Sequence, residues 1–130
     1  MTQETDRSLG MLGLARKAGK LQTGEETVSA MLAEKHARLT VLASDAGEAV
    51  ARKIRGLAEG TRQQVLTIPC DKLSLGAALG RPVVSVAAFA DVSMALAFVK
   101  TLPPGTAPQD LVEDLERRVA RVKAKRQRKN

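Results

Sequence analysis

Aromatic side chains are scarce in this sequence, which has two Phe and neither Trp nor Tyr among its 130 residues. Proteins that hold single-stranded nucleic acid by stacking bases on rings, such as RRM domains and single-strand-binding barrels, need several rings on one surface. The composition argues against that class of binding site. The core has to be built from aliphatic side chains, which the hydrophobic fraction of 44% supplies.

Cysteine and histidine each occur once, as Cys70 and His36. One cysteine allows neither a disulfide within the chain nor a thiolate zinc site, and one histidine in a charged turn is a poor start for a Ser-His-Asp triad or a His-based metal site. We therefore expect Cys70 to be a buried structural thiol and His36 a surface residue. No catalytic set, cofactor or metal is expected, and this cysteine usage is typical of a reducing cytoplasm.

Long apolar runs are also missing. None reaches the roughly 18 residues of a membrane-spanning helix. The first ten residues, MTQETDRSLG, are polar and carry acids, so they do not read as a secretory signal. We expect a cytoplasmic monomer that makes no contact with a membrane.

Basic residues are in excess, with a formal net charge of +7 and a pI near 10.1. Such a balance favours a polyanionic partner. Residues 1–100 hold 13 Lys and Arg against 10 Asp and Glu, whereas residues 101–130 hold 8 against 4. Because the first hundred residues are only mildly basic, specific binding there has to come from individually placed groups.

Apolar patterning predicts helices that alternate with short strands, and the strands are continuous apolar runs of the kind buried on both faces. This rhythm indicates an α/β layered fold. The predicted strands are Leu21–Thr23, Leu39–Ser44, Gln64–Ile68 and Pro82–Phe89. The candidate caps of the last three helices of this region are Asp45, then Asp71 or Ser74, and Asp91.

Three units are predicted along the chain: an α/β domain over residues 1–100, a Pro-rich linker over 101–108, and a basic C-terminal helix or tail over 109–130. The linker has three prolines and one glycine in eight residues, which prevents a continuous helix. The tail has an apolar stripe at helical spacing, made of Leu111, Leu115, Val119 and Val122. Two roles stay open for it, a solvent-exposed packed helix or a nonspecific phosphate-binding extension.

Two adjacent acids, Glu25 and Glu26, follow Gly24 at the start of the second predicted helix. One interpretation is that they only stabilise the helix N-terminus. The other is that this helix end presents N–H donors to phosphate or base edges, while its carboxylates accept hydrogen bonds from base amino groups. A basic surround would then hold the backbone and leave the acids to read bases.

Four segments resemble, in collinear order, the kink-turn RNA-binding ribosomal-protein superfamily of the L7Ae and L30e type, and above all its small bacterial members. The segments are LGLARKAGKLQTGEE, ARLTVLASDA, LGAALGR and VVSVAAFAD. The resemblance covers about residues 8–100. It implies a three-layer α/β/α sandwich with a mixed four-stranded sheet, no enzymatic activity, and binding to sharply bent RNA with sheared G·A pairs, either ribosomal or another noncoding RNA. An alternative on the same fold is a protein-interaction adaptor that binds RNA weakly.

The resemblance also implies a set of RNA contacts. The family reads RNA with a Gly-x-Asn-Glu-x-x-Lys pattern; here Gly24 takes the glycine slot, Glu26 and Thr27 take the two polar slots, and Ala30 stands in the lysine slot. A loop at residues 87–89 is expected to hold an extruded base, and flanking cations are expected to contact phosphates. The predicted RNA-binding residues are Lys17, Lys20, Thr23, Gly24, Glu25, Glu26, Thr27, Arg52, Lys53, Arg81, Ala87, Ala88 and Phe89.

Overall fold

A computed structural model describes residues 3–129, and it describes the side chains of residues 7–128. Over this range the chain alternates helices with short strands, as the apolar pattern predicts. The helices are α1 (Gln3–Lys17), α2 (Glu25–Ala33), α3 (Glu48–Ala58), α4 (Lys72–Ala78), α5 (Val92–Val99) and α6 (Gln109–Lys129). The strands are β1 (Leu21–Thr23), β2 (Leu39–Leu42), β3 (Gln64–Thr67) and β4 (Val86–Phe89).

The four strands form one mixed sheet in the order β1-β4-β2-β3. β2 and β3 are parallel, and β4 is antiparallel to both of its neighbours. The carboxyl ends of β1, β2 and β3 therefore lie beside the amino end of β4. We call this end of the sheet the Gly24 edge, after the residue that follows β1, and the opposite end the Arg38 edge, after the residue that precedes β2.

Helices cover both faces of the sheet, and each face has its own apolar cluster. On one side Val28 and Leu32 of α2 and Ile54 of α3 pack on alternate residues of β2 and β4. On the other side α1, α4, α5 and α6 pack on the remaining strand residues, which include Leu39 and Phe89. Alternate strand residues point to opposite faces, so a sheet covered on both sides needs the continuous apolar runs seen in the sequence. The predicted three-layer fold class is confirmed.

The C-terminal helix α6 belongs to the same apolar cluster as the sheet. Its predicted stripe is buried at Leu111, Leu115 and Val119 and half-buried at Val122. The preceding segment 101–108 has neither helix nor strand. The predicted tail is thus an ordered helix that shares its core with the first hundred residues.

β2 and β3 end two residues and one residue earlier than predicted, and two larger differences from the predictions occur. The strand predicted for Pro82–Phe89 begins only at Val86, because the chain before it runs along α4 as a loop. Asp45 does not cap α3, whose N-cap is Gly47; its Oδ1 accepts a hydrogen bond from the Lys72 N–H at 2.8 Å. The predicted caps Asp71 and Asp91 are confirmed. The Asp71 carboxylate accepts a hydrogen bond from the Ser74 N–H at 2.7 Å, and the Asp91 carboxylate accepts one from the Met94 N–H at 2.9 Å.

None of the helices in residues 3–129 is both long enough and apolar enough to cross a lipid bilayer.

Candidate nucleic-acid interface

An open cleft of about 220 Å³ lies at the Gly24 edge. Three parts of the chain form it: the turn from β1 into α2, one residue of α3, and the loop before β4. Its lining residues are Thr23, Gly24, Glu25, Val50, Arg81, Val83, Val84, Ser85 and Val86. The sheet topology brings these parts together, because β1 ends where β4 begins.

Gly24 has a backbone conformation that other residues rarely adopt. Its φ is 100°, and its N–H donates to the Val86 carbonyl at 3.1 Å, which fixes the turn against β4. A Cβ built at this position would meet nothing within 4 Å, so the backbone is open to an approaching ligand. Since glycine has no side chain with which to cap α2, the first-turn N–H groups remain as donors at the helix end.

Charges of both signs surround this helix end. Glu25 lies 3.5 Å from the Lys53 ammonium of α3, and both side chains are about half exposed. Glu26 and Thr27 are exposed in the first turn of α2. Arg81 borders the cleft from the opposite side. The arrangement can offer N–H donors, carboxylate acceptors and cations to one ligand, which is a combination suited to base edges next to phosphates.

The loop before β4 is held against α4 at both of its ends. The Arg81 N–H donates to the Gly76 carbonyl at 2.9 Å, and the Val84 N–H donates to the Lys72 carbonyl at 3.0 Å. A Cβ on Gly76 would lie 2.6 Å from the Arg81 carbonyl oxygen, so this close approach requires glycine. The loop leaves the Val83 side chain 48% exposed at the cleft, where it forms an apolar wall.

Several of the predicted contacts come together here. Thr23, Gly24, Glu25 and Arg81 line the cleft, and Lys53 reaches it through its ion pair with Glu25. Glu26 and Thr27 continue the same helix end.

Other predicted cations lie elsewhere. Lys20 is at the opposite end of β1, where its carbonyl accepts a hydrogen bond from the Ala90 N–H at 2.8 Å. Lys17 is the exposed last residue of α1 and lies outside the cleft lining. Arg52 pairs with Glu48 at 3.6 Å and lines a separate groove between α3 and β3.

The prediction that Ala87, Ala88 and Phe89 form a loop open to RNA is wrong. These residues form β4 rather than a loop, and all three are fully buried in the middle of the sheet. The Phe89 ring packs on Phe98 with 5.4 Å between ring centroids. An RNA base could reach them only if the sheet opened.

Sequence reasoning missed the residues that form the apolar side of the cleft, Val50 and Val83, and the polar Ser85 between them and β4. A signal for the cleft loop was present in LGAALGR, because a glycine inside a short helix and a second one just after it indicate a close backbone approach. The apolar run Val83–Val84 concealed it by resembling the start of a strand.

Cys70 and His36 occupy the kinds of position expected of them. Cys70 is 6% exposed, and burial, followed by the charges of Asp71 and Asp45, raises the pKa of its thiol. His36 is exposed and lies 3.4 Å from Glu34. Hydrogen bonds from Ser74, its backbone N–H first, hold the pKa of the Asp71 carboxyl below its ordinary value. Across the described part of the chain, no three His, Cys, Asp or Glu side chains converge as metal ligands would.

The sequence matches a known family. Residues 6–97 match the model of the Ribosomal protein L7Ae/L30e/S12e/Gadd45 family, which covers more than half of the chain. The chain belongs to this family.

Three individual proteins are similar to this chain. The chain is 31% identical over 67 residues to a protein named RNA-binding protein YlxQ from Enterococcus faecium; the match covers 52% of this chain and 60% of that relative. A structure of a protein of unknown function from Bacillus halodurans C superposes with a TM-score of 0.67 and 28% identity, over 72% of this chain and 94% of the other. The 15.5kD RNA binding protein of Giardia lamblia has the same fold, with a TM-score of 0.56 at 14% identity over 95% and 91% of the two chains.

Proposed function

We propose that this protein binds structured RNA of the kink-turn kind at the Gly24 edge, without catalysing a reaction. The observation that carries the proposal is the open amide-bearing end of α2, where Gly24 has a φ of 100° and faces a cleft with the exposed Val83 on its far side. Family membership and the name of the Enterococcus faecium relative support RNA as the ligand. The target would be a ribosomal or other noncoding RNA in the cytoplasm.

Each part of the cleft has a role in this proposal. The first-turn N–H groups of α2 donate to base or phosphate oxygens, and Glu26 and Thr27 accept hydrogen bonds from base amino groups. Val83, with Val50 beside it, packs against a base that has left the stack. Arg81 and Lys53 neutralise the phosphates that flank that base.

The alanine in the lysine slot of the family pattern limits what this site can do. Ala30 is exposed on α2 and has no group that could contact phosphate. Arg81 approaches the same cleft from the loop before β4. We propose that Arg81 supplies the positive charge that position 30 lacks, so that bent RNA is still preferred over straight RNA.

A binding titration with two RNAs tests the proposal. One is a kink-turn duplex; the other is the same duplex with its sheared G·A pairs replaced by Watson–Crick pairs. We expect the kink-turn to bind about tenfold tighter or more, since one lost set of base contacts is worth about 1–3 kcal/mol. Equal affinity for the two RNAs would contradict specific recognition.

Two matched variants locate the site. Val83→Asp places a carboxylate in the cleft, whereas Leu14→Asp makes a similar change at an exposed leucine of α1 outside the cleft. We expect only the Val83 variant to lose the preference for the kink-turn. If neither variant binds less RNA than the wild type does, the Gly24 edge is not the site. A preparation that retains a stable protein partner and binds no RNA would favour the adaptor alternative.

A further inference from the structure

A second positive surface lies at the Arg38 edge, at the opposite end of the sheet from the cleft. Two adjoining grooves share Arg38 and Arg118 and therefore form one continuous surface. We call it the basic groove. Its cationic residues are Lys35, Arg38, Arg62, Arg118, Arg121 and Lys125.

Most of these charges are not neutralised by the protein. Arg118 is the exception: its Nε lies 3.0 Å from the Asp114 carboxylate, and its side chain is only 15% exposed. Within residues 7–128, no carboxylate lies within ion-pair distance of the other five cations. Such a concentration of like charge is unfavourable to the folded protein by itself and is relieved when an anion binds.

Polar contacts hold the groove in a fixed shape. Gln63 is buried; its side chain accepts the Ala37 N–H at 3.1 Å and donates to the Leu32 carbonyl at 2.9 Å. The loop that carries Arg62 is thereby attached to the one that carries Arg38.

Helix α6, which forms the other side of the groove, is also attached to the segment that carries Arg62. Arg118 of α6 donates a hydrogen bond to the Arg62 carbonyl, and Asp114 accepts one from the Gln64 side chain at 3.1 Å. The buried stripe of α6 holds the rest of the helix on the core. The cations of the groove therefore project from a rigid support.

The chemistry of the groove fits a phosphate backbone. Arg118, Arg121 and Lys125 lie on one face of α6, and the first and last of them are about 10 Å apart along the helix axis. Arginine predominates, and its planar fork can make two hydrogen bonds to one phosphate. The apolar residues at the base of the groove, Val92 and Val122, are buried or half-buried and offer little to the interior of a membrane.

We infer that the basic groove binds the phosphate backbone of an RNA stem without regard to its sequence. Double-stranded RNA is recognised mainly through its shape and its phosphates, which a rigid row of cations can contact. This binding does not depend on the Gly24 edge, and it gives the protein a second RNA-binding surface.

The test is a titration of a straight RNA duplex of about 16 base pairs, the span of one double-stranded RNA-binding domain, at several salt concentrations. The groove variant carries Arg62→Gln, Arg121→Gln and Lys125→Gln. The control carries Lys100→Gln, Lys123→Gln and Arg126→Gln, which remove the same charge from exposed positions outside the groove. All six residues are exposed, so both proteins should fold, and their thermal unfolding is measured first.

We expect the groove variant to bind the duplex about tenfold more weakly or worse, with the slope of log affinity against log salt reduced by about 2–3, because each phosphate contact contributes about one unit. The control should keep a slope close to that of the wild type. Equal losses of affinity in the two variants would show that net charge alone attracts the duplex, and would overturn the inference. Unchanged affinity in both variants would also overturn it.

Val83→Asp separates this inference from the function proposed above. If the basic groove acts independently, Val83→Asp binds the straight duplex as well as the wild type does. Loss of duplex binding in that variant would mean that the duplex occupies the Gly24 edge, and the groove would not be a second surface. A failure of the kink-turn preference, with duplex binding still lost in the groove variant, would reject only the proposed function.

Discussion

The two ends of the sheet differ in how they could attract RNA. At the Gly24 edge there are few unpaired charges, and the prominent features are backbone groups: a glycine at φ 100°, an uncapped helix end and a loop fixed against α4. At the Arg38 edge the prominent feature is a row of cations around one ion pair with Asp114, and one of those cations, Lys35, has a φ of 61°.

This difference corresponds to a division between specificity and affinity. Backbone donors and a shaped cleft discriminate between ligands because they require a particular geometry, whereas cations attract any phosphate backbone. The net charge of +7 is unevenly distributed over the surface, because unpaired cations are concentrated in the basic groove. Three predictions are taken in order of expected effect. The first two test whether the two edges can be changed separately, and the third tests the cap of α4, the helix that holds the cleft loop.

The largest effect is expected from Gly76→Ala. The new Cβ would lie 2.6 Å from the Arg81 carbonyl oxygen and 2.9 Å from the Pro82 carbonyl oxygen, so either α4 or the cleft loop has to move. We expect the free energy of unfolding to fall by about 3 kcal/mol, as for an overpacked core. Kink-turn binding should be lost while duplex binding at the basic groove remains. Urea denaturation and the two titrations measure this.

Gly56→Ala is the control for that variant. Gly56 is also in a helix, and a Cβ there would meet nothing within 4 Å, so we expect stability to rise by about 0.5–1 kcal/mol. Unchanged stability and an unchanged kink-turn preference in Gly76→Ala would mean that the loop before β4 does not shape the cleft.

An intermediate effect is expected from Asp114→Asn. The change removes the charge that Arg118 faces at 3.0 Å and weakens the bond from Gln64. We expect the free energy of unfolding to fall by about 1.5–2 kcal/mol, the lower part of the range for a hydrogen bond to a charged group. Duplex binding should not strengthen despite the added positive charge, because α6 is less firmly positioned.

Glu113→Gln is the control for that variant. It makes an equal charge change at an exposed site on the same helix and should leave stability unchanged. Equal behaviour of the two variants would show that Asp114 does not position α6.

The smallest effect is expected from Asp71→Ala, and it should depend on pH. The carboxylate caps α4, and hydrogen bonds from Ser74 lower its pKa in the folded state. A lowered folded-state pKa means that the stabilisation is present above the pKa of the unfolded chain and is lost as pH falls through the folded value. The stability difference between the variant and the wild type should therefore be largest near neutral pH and shrink in acid, as thermal unfolding at a series of pH values would show. A difference independent of pH would contradict the role of the charge.

Much of the fold could be predicted from the sequence because its signals are local. Asp71 and Asp91 precede helices that they do cap, and the spacing of Leu111, Leu115 and Val119 identified the buried face of α6. These features depend only on neighbouring residues or on the period of one helix.

The sites were predicted less completely because they depend on contacts between distant segments. Val83 continues an apolar run into β4, and only its contact with α4 at Gly76 removes it from the strand. The basic groove joins Arg38 to Lys125, which are 87 positions apart and which the packing of α6 on the core brings together. The sequence shows that the C-terminal helix is basic, but it does not show which residues of the first hundred lie beside that helix in the groove.

The orientation of the sheet has a consequence for the stoichiometry of any complex. β2 is four residues long, so it separates the two edges by about 13 Å, and they face in opposite directions. A straight RNA stem can reach only one of them on a given molecule. Simultaneous occupancy requires either an RNA that folds back around the protein or two separate RNA segments, which the protein would then bridge.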